Sequence, residues 1–453
     1  MNLSPMRSIS VAVLLTVTLV LALPSLIGRA SMKAATCVTN PVVITNADSG
    51  AGSLRQAILD ACDGSTITFA NTVASPITLA SELAVDKNLT IQGPGANLLT
   101  ISGNNAVRVF NIGSVNPAIN VTLTGLTIAN GSATLIGVGF DTKSIGGGIL
   151  NNSTGTLTLT DSVISGNSAT AAANNSIGGG GIANANSGTV NVLNTTISGN
   201  STQFANAGLG GGIYNFGTGV VNVANSILMN NNARGGGGIS NFIGGTLNMT
   251  NSTLSGNSTN REMDPGGGIF NFGGTATITG STFSGNTAAG GFGGAIDNIF
   301  FGSVTVSGCQ FSGNSILGTS GSGGGAAIGN EESMLMVTNC TFSNNMGGGA
   351  GVVNSQGTVA IANSTFSSNN ANGQGGVIFN DTSSLSGDTL LTITNCTFSG
   401  NAGFRLTREV TFGCILNFGG PADIINCTLS GNDSGIANQF GTTNVKNTVV
   451  ASN

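Results

Sequence analysis

One unit recurs along most of this chain, and it fixes the class of fold. The stretch 266–286, GGGIFNFGGTATITGSTFSGN, holds three short apolar runs, each closed by Gly, Asn or Ser. A unit of this size cannot bury its apolar side alone, whereas stacked copies can. Its first element is a small-residue pair, then Ile or Val, any residue, and Asn; it ends at Asn184, Asn215, Asn241, Asn271 and Asn298, with looser copies at Asn151, Asn330, Asn354, Asn380, Asn417 and Asn438. The second alternates, with pairs such as Leu157/Leu159, Val190/Val192 and Val304/Val306 on one side. The third is apolar-x-x-Asn, from Ile164–Asn167 to Val450–Asn453, and successive copies of that Asn lie 21 to 33 residues apart. Three strands in that length predict one turn of a right-handed parallel β-helix, an all-β, single-stranded solenoid. Length varies mainly between the third element and the next Gly run, so the long loops, such as 168–178 and 404–413, fall at one corner.

Each recurring residue type has a structural use. At a bend between parallel strands the backbone loses ladder partners, and a stacked Asn can bond the Asn above, the Asn below and local backbone; Asn also tolerates left-handed angles. Phe283, Phe311, Phe342, Phe366 and Phe398 are expected to form one inward column. Phe216, Phe242, Phe272 and Phe418 follow the first-element Asn and are expected to line a corner, packing there or, if exposed, binding sugar rings. Two residues before the core Phe lies a small residue: Ser252, Ser281, Cys309, Cys340, Ser364, Cys396, Cys427. Period-two alternation turns it inward, so these Cys are expected to be buried free thiols filling the place of Ser. Cys309/Cys340 and Cys396/Cys427 lie on neighbouring coils, but aligned parallel side chains miss the disulfide torsion. Cys414 stands apart at a Gly position.

The head of the chain differs. Residues 1–30 read as a secretory signal peptide: Arg7, an apolar run 11–23, Pro24, then small residues at Gly28 and Ala30. A retained membrane anchor is the rival reading. Residues 31–65 are expected to form an N-terminal cap. Within it Ser53–Cys62 places Leu54, Ala57, Ile58 and Ala61 on one helical face, with Ser53 and Gln56 spaced as a capping box and Gly64 beyond. Cys37 and Cys62 bracket this segment, either as a disulfide suited to an exported protein or as two thiols. Residues 66–145 hold irregular strand-like runs (66–69, 77–79, 88–91, 99–102, 107–112 and 121–128), and residues 146–453 the regular repeats.

These motifs resemble the repeats of the polymorphic outer membrane protein family, in Gly293-Gly294-Ala295-Ile296 and Phe283-Ser284-Gly285-Asn286 and their copies over 146–453. The head, from Ser49 through Ser53-Leu54-Arg55-Gln56-Ala57-Ile58 to Gly93-Pro94-Gly95, resembles the start of secreted bacterial β-helix proteins that carry a Cys-Ser-Leu-Arg-Glu-Ala-like motif; Gly52 and Gln56 stand where that motif has Cys and Glu. The resemblance implies a bacterial cell-surface or secreted β-helix, outer membrane-associated and adhesin-like in several relatives, and carries over no catalytic residue. Relatives end in an autotransporter barrel, whereas Asn453 closes a repeat motif; a continuation, or another molecule covering the last coil, is expected.

Composition narrows the function. Of 453 residues 73 are Gly, none is His or Trp, one is Tyr, and 6% are charged, with a formal net charge of -5. No basic stripe is present, so nucleic acid is not an expected partner. No cofactor, metal or catalytic set is expected. The leading expectation is an exported non-enzymatic scaffold for surface display or adhesion, its binding in corner loops such as 258–265, with a surface polysaccharide or a ligand on a host or neighbouring cell as partner. The alternative is a polysaccharide lyase or hydrolase, which needs paired carboxylates or an acidic metal site with a basic residue. Glu262, Asp264, Asp297 and Glu331, with Arg261, are the candidates at one corner. Ice binding would need flat Thr ranks, and the outward column Thr158, Asn191, Asn222, Asn248, Thr277, Thr305, Met336, Ala360, Thr392, Asp423 is too mixed.

Overall fold

In each coil, alternation and turn residues dictate short strands, and stacking gives them partners. In the computed structural model, which describes residues 37–135, 145–171, 177–203, 208–261, 264–317, 324–373, 375–382, 389–403 and 413–453, one coil runs through Ile269–Phe272, Thr275–Thr279, Thr282–Ser284 and Thr287–Ala288. Equivalent strands pair in parallel from coil to coil into sheets of thirteen, fifteen, fourteen and nine strands among the described residues. The fold is a right-handed parallel β-helix. The predicted apolar pairs fall in register, as in Val221↔Leu247 and Val223↔Met249, and all are buried. The fourth, two-residue strand was not expected. It follows the third-element Asn and in most coils is two residues long, too short to show alternation; in an earlier coil it lengthens to Ser168–Ala171, so the start of the expected loop 168–178 is a strand.

The interior is organised by columns. Eleven Asn residues from Asn151 to Asn438 and eleven from Asn167 to Asn453 form two amide ladders. In each, every Nδ2 but the last donates to the Oδ1 of the next coil at 2.8–3.0 Å. In the second ladder the amide also bonds backbone: Asn286 Nδ2 donates to Leu254 O, and its Oδ1 accepts from Asn257 N. Ladder Asn residues are not the left-handed ones, which corrects the sequence reading. Positive φ belongs to a separate column at the turn after the long strand, with Asn194, Asn225, Asn251, Asn339, Asn363, Asn395 and Asn426 at +46° to +56°. A ladder Asn serves through its side chain, a turn Asn through its backbone.

Phe283, Phe311, Phe342, Phe366 and Phe398 are fully buried and stack with centroids 4.5–4.8 Å apart, the strand spacing itself. Cys309, Cys340, Cys396 and Cys427 are free and buried, as expected, and Cys414 is buried and free as well. Cys37 and Cys62 are disulfide-bonded. The helix spans Leu54–Asp60, shorter than predicted, and its buried Leu54, Ala57 and Ile58 join the core of the first coils. Ser53 Oγ accepts from Gln56 N at 3.2 Å, but Gln56 Nε2 turns to Asp60 Oδ1 at 2.8 Å, so only half of the capping box forms and Gly64 lies past the end. The long run 121–128 is two strands, Val121–Thr124 and Thr127–Ala129, around Gly125 at φ +64°.

The proposed leader, residues 1–30, lies outside the described residues, as do Glu262 and the loop segments 172–176 and 404–412. Among the described residues no helix is long and apolar enough to cross a membrane.

Candidate functional site

The corner between the first and second strands of each coil carries the exposed aromatics among the described residues. In coils before residue 298 its left-handed position is glycine: Gly217, Gly244 and Gly273, at φ +63° to +81°. In the next coils bulky or charged residues occupy it, with Phe300 at +59°, Phe301 at +60° and Glu332 at +49°. An L-residue of this kind costs on the order of 1–2 kcal/mol there, and such outliers cluster where the side chain is used. Phe242, Phe272 and Phe300 stack at 4.7 Å centroid spacing, with Phe216 beyond them at 6.2 Å from Phe242. The predicted corner column is therefore real over three members, but it continues through Phe300 rather than through Ile299, the residue that follows the Asn. Phe418 is not part of it and packs edge-on against Phe379 and Phe440.

Within a ladder, ring faces are covered by neighbouring rings. Phe301 breaks the pattern: it is tilted 56° from Phe300 and is 78% exposed, against 48% for Phe300. It offers an open aromatic face. Its N–H donates to Glu332 O at 3.1 Å, and Gly302 N donates to Ser333 Oγ at 3.0 Å, so Glu331 and Glu332 lie on the coil stacked directly next to it. Met334 and Met336, both exposed, extend the apolar surface into the long sheet, Met334 N donating to Gly302 O. An exposed apolar patch rimmed by polar groups is the mark of a binding surface. Sequence reasoning missed Phe300, Phe301 and Glu332. The available signal was the loss of the corner Gly pair in Asn298-Ile299-Phe300-Phe301-Gly302.

The predicted acids divide into two groups. Asp264 is buried and ion-paired with Arg234, Nη2 to Oδ1 at 2.9 Å and Nε at 3.0 Å; burial pushes its carboxyl up and Arg234 opposes this. Arg234 had not been foreseen as this partner. Asp297 sits on the outer row of its strand, between Phe270 and Gly329 in register, yet is only 1% exposed. A Cβ at Gly329 would meet Asp297 Oδ1 at 2.9 Å and Phe292 Cβ at 2.8 Å, so glycine there leaves room for the acid. Asp297 Oδ1 has no hydrogen-bond partner, and burial first, then the charge of Glu331, holds the carboxyl well above its usual range. Glu331, two residues past Gly329 and on the same face, is half-buried and is also pushed up, by burial and then by Glu332. Asp297, Glu331 and Glu332 thus run from interior to surface, while Asp264 belongs with Arg234 and Arg261. No group of three metal-binding side chains occurs among the described residues.

A carboxyl raised on folding makes the native state hold its proton longer than the unfolded chain does. Stability therefore falls as pH rises from the ordinary carboxylate range to the folded pKa of Asp297, by up to about 1.4 kcal/mol per pH unit. D297N is expected to reduce that decline, so that the Tm difference between variant and wild type grows with pH. A difference independent of pH would refute the assignment.

No family model and no curated protein sequence matches the chain. Among solved structures, it is similar to the catalytic unit of a thermostable GH87 α-1,3-glucanase from Streptomyces thermodiastaticus strain HF3-3, with 12% identity, a TM-score of 0.40, and coverage of 92% of this chain and 70% of that one. It is also similar to a mannuronic acid-specific polysaccharide family 6 lyase from human gut microbiota, with 9% identity, a TM-score of 0.36, and coverage of 83% and 77%. For the alginate lyase AlyF-OU02 in complex with G6 the values are 10%, 0.31, 92% and 88%. At these identities and scores no residue role passes to this chain.

Proposed function

We propose that this chain is an exported β-helical protein that binds polysaccharide at the corner formed by Phe300, Phe301, Glu331 and Glu332. The observation that carries the reading is Phe301: an open aromatic face held at a left-handed backbone position, beside carboxylates on the next coil. The C–H face of a sugar ring packs on such a ring, and its hydroxyls donate to the acids. The apolar leader-like stretch and the bonded Cys37 and Cys62 support export. The resemblance to polymorphic outer membrane protein repeats supports a cell-surface or secreted location, display and adhesion being the uses of such a scaffold. The boundaries of the leader, the cap at 31–65, the irregular coils at 66–145 and the regular repeats belong to the same proposal.

The test is binding of purified protein to a polysaccharide panel by affinity electrophoresis and calorimetry. F301G is expected to weaken binding by roughly thirtyfold, about 2 kcal/mol for loss of an aromatic anchor. The same change relieves the left-handed strain, so Tm is expected to hold or rise. Wild-type protein that binds none of the panel, or F301G that binds as well as wild type, would defeat the reading.

A second reading is cleavage of that polysaccharide, favoured by Glu331. Its carboxyl is raised by burial and by adjacent Glu332, the direction in which a general acid is tuned. Here E331Q would abolish release of new chain ends or unsaturated products, a loss far larger than its effect on binding; absence of any product from wild type across glucans, xylans, pectins and alginates would defeat the cleavage reading.

A further inference from the structure

Far from the Phe301 corner, the first coils form an open cleft of about 490 Å3 around Glu82, Arg108 and Asn111, with Ala106, Ser132 and Thr134 on its walls. Its polar groups are held in place before any ligand arrives. The Arg108 side chain is 6% exposed; Nη1 donates to Glu82 Oε2 at 2.7 Å, Nη2 to Ile145 O at 2.9 Å and Nε to Gly146 O at 3.0 Å. Asn111 Nδ2 donates to Glu82 Oε1 at 2.9 Å, and its own Oδ1 accepts from Asn152 at 3.2 Å. The main chain of the Glu82 segment is fixed separately: Arg55, paired with Asp48, donates to Ser81 O and Glu82 O at 2.7 and 2.8 Å. Glu82 thus has both oxygens oriented and its backbone pinned, while its side chain stays 38% exposed at the cleft.

The chemistry of the cleft selects its ligand. A carboxylate has about four lone-pair sites, and the bonds from Arg108 and Asn111 occupy one on each oxygen, leaving acceptors for incoming O–H donors. Ser132 and Thr134, whose hydroxyls lie 3.3 Å apart, add groups that both donate and accept. Ala80, Ala106 and Val107 supply an apolar wall. Arg108 is engaged by Glu82 and two carbonyls, so its charge is not reserved for an anionic ligand. We infer that this cleft is a second binding site, for a neutral saccharide unit whose adjacent hydroxyls bond to Glu82 and whose C–H face lies on the alanine wall. It does not depend on the Phe301 site, since the two are built from separate coils.

The experiment is calorimetry and saturation-transfer NMR with cellotriose, xylotriose and trigalacturonate on the full chain. A neutral trisaccharide is expected to bind. A106W, which fills the cleft from an exposed position without touching the ion pair, is expected to reduce its affinity by about tenfold or more, one lost set of hydroxyl contacts. These measurements are made in the F301G background, so that the corner site does not contribute to the signal. E82Q, checked for folding by circular dichroism, should weaken it as well. Binding of neither neutral sugar, preference for trigalacturonate, or neutral-sugar binding that survives A106W in the F301G background would each overturn the inference.

Discussion

Replacing Asn286 by Ala is expected to loosen the stack on both sides of its coil, at a cost on the order of 4 kcal/mol, since each buried group left unpaired costs about 1–3 kcal/mol. The wild-type side chain accepts from Asn257 N and Nδ2 and donates to Asn314 Oδ1 and Leu254 O, all in the interior. Alanine keeps the backbone bond from residue 286 to Asn314 Oδ1 but strands the two donors of Asn257. Asn222 is the control. It also bonds two amides, Asn191 at 2.8 Å and Asn248 at 2.9 Å, but on the outer face, where water replaces a lost partner. N222A is therefore expected to change stability by no more than about 0.5 kcal/mol. In a stack whose coils touch only their neighbours, the damage should stay local. Hydrogen exchange is the fitting measurement, with N286A raising exchange around 254–257 and 283–287 first. Equal effects from the two variants would mean that bond number, and not burial, sets the value of an Asn column.

Phe342 tests the other column. Its ring is fully buried between Phe311 at 4.7 Å and Phe366 at 4.5 Å. F342A is expected to cost about 4–5 kcal/mol through lost burial and the cavity left behind, stacking included. F342L should cost far less, about 1.5 kcal/mol, because the same column already accepts Leu228, Leu254 and Leu429 in register with its neighbours. Thermal melting or denaturant titration separates the two. A leucine variant as damaged as the alanine one would show that the ring stack itself, rather than the filled volume, holds these coils together.

What could be read from the sequence follows from periodicity. Residues that repeat once per coil announce themselves: the Asn ladders, the Phe283-to-Phe398 column and the inward cysteines occupy the places that alternation gives them. Features that occur once do not. The salt bridge of Arg108 to Glu82 joins residues 26 apart with no repeat to align them. Asp264 was visible as an acid, but its partner Arg234 lies on the previous coil. Asp297 is legible as an acid near a corner, but its burial is not: the cover over its row, including Phe292, comes from the loop leading into the Gly run and leaves no mark on the alternation pattern. Phe300 was overlooked because its coil has one more corner residue than the preceding one, which moves the aromatic place by one position.

The amide ladders also give the stack a sense of direction. In both columns each Asn-to-Asn bond runs from Nδ2 to the Oδ1 of the coil that follows, so the amide dipoles add instead of cancelling. Each bond polarises the next, as in any chain of aligned amides. An incoming coil at the growing end must bring an oxygen to meet a waiting N–H, while at the opposite end it must bring the N–H. The two ends are therefore chemically unlike, and assembly, fraying and repair of the column have a head and a tail even where the repeated sequence reads alike from coil to coil.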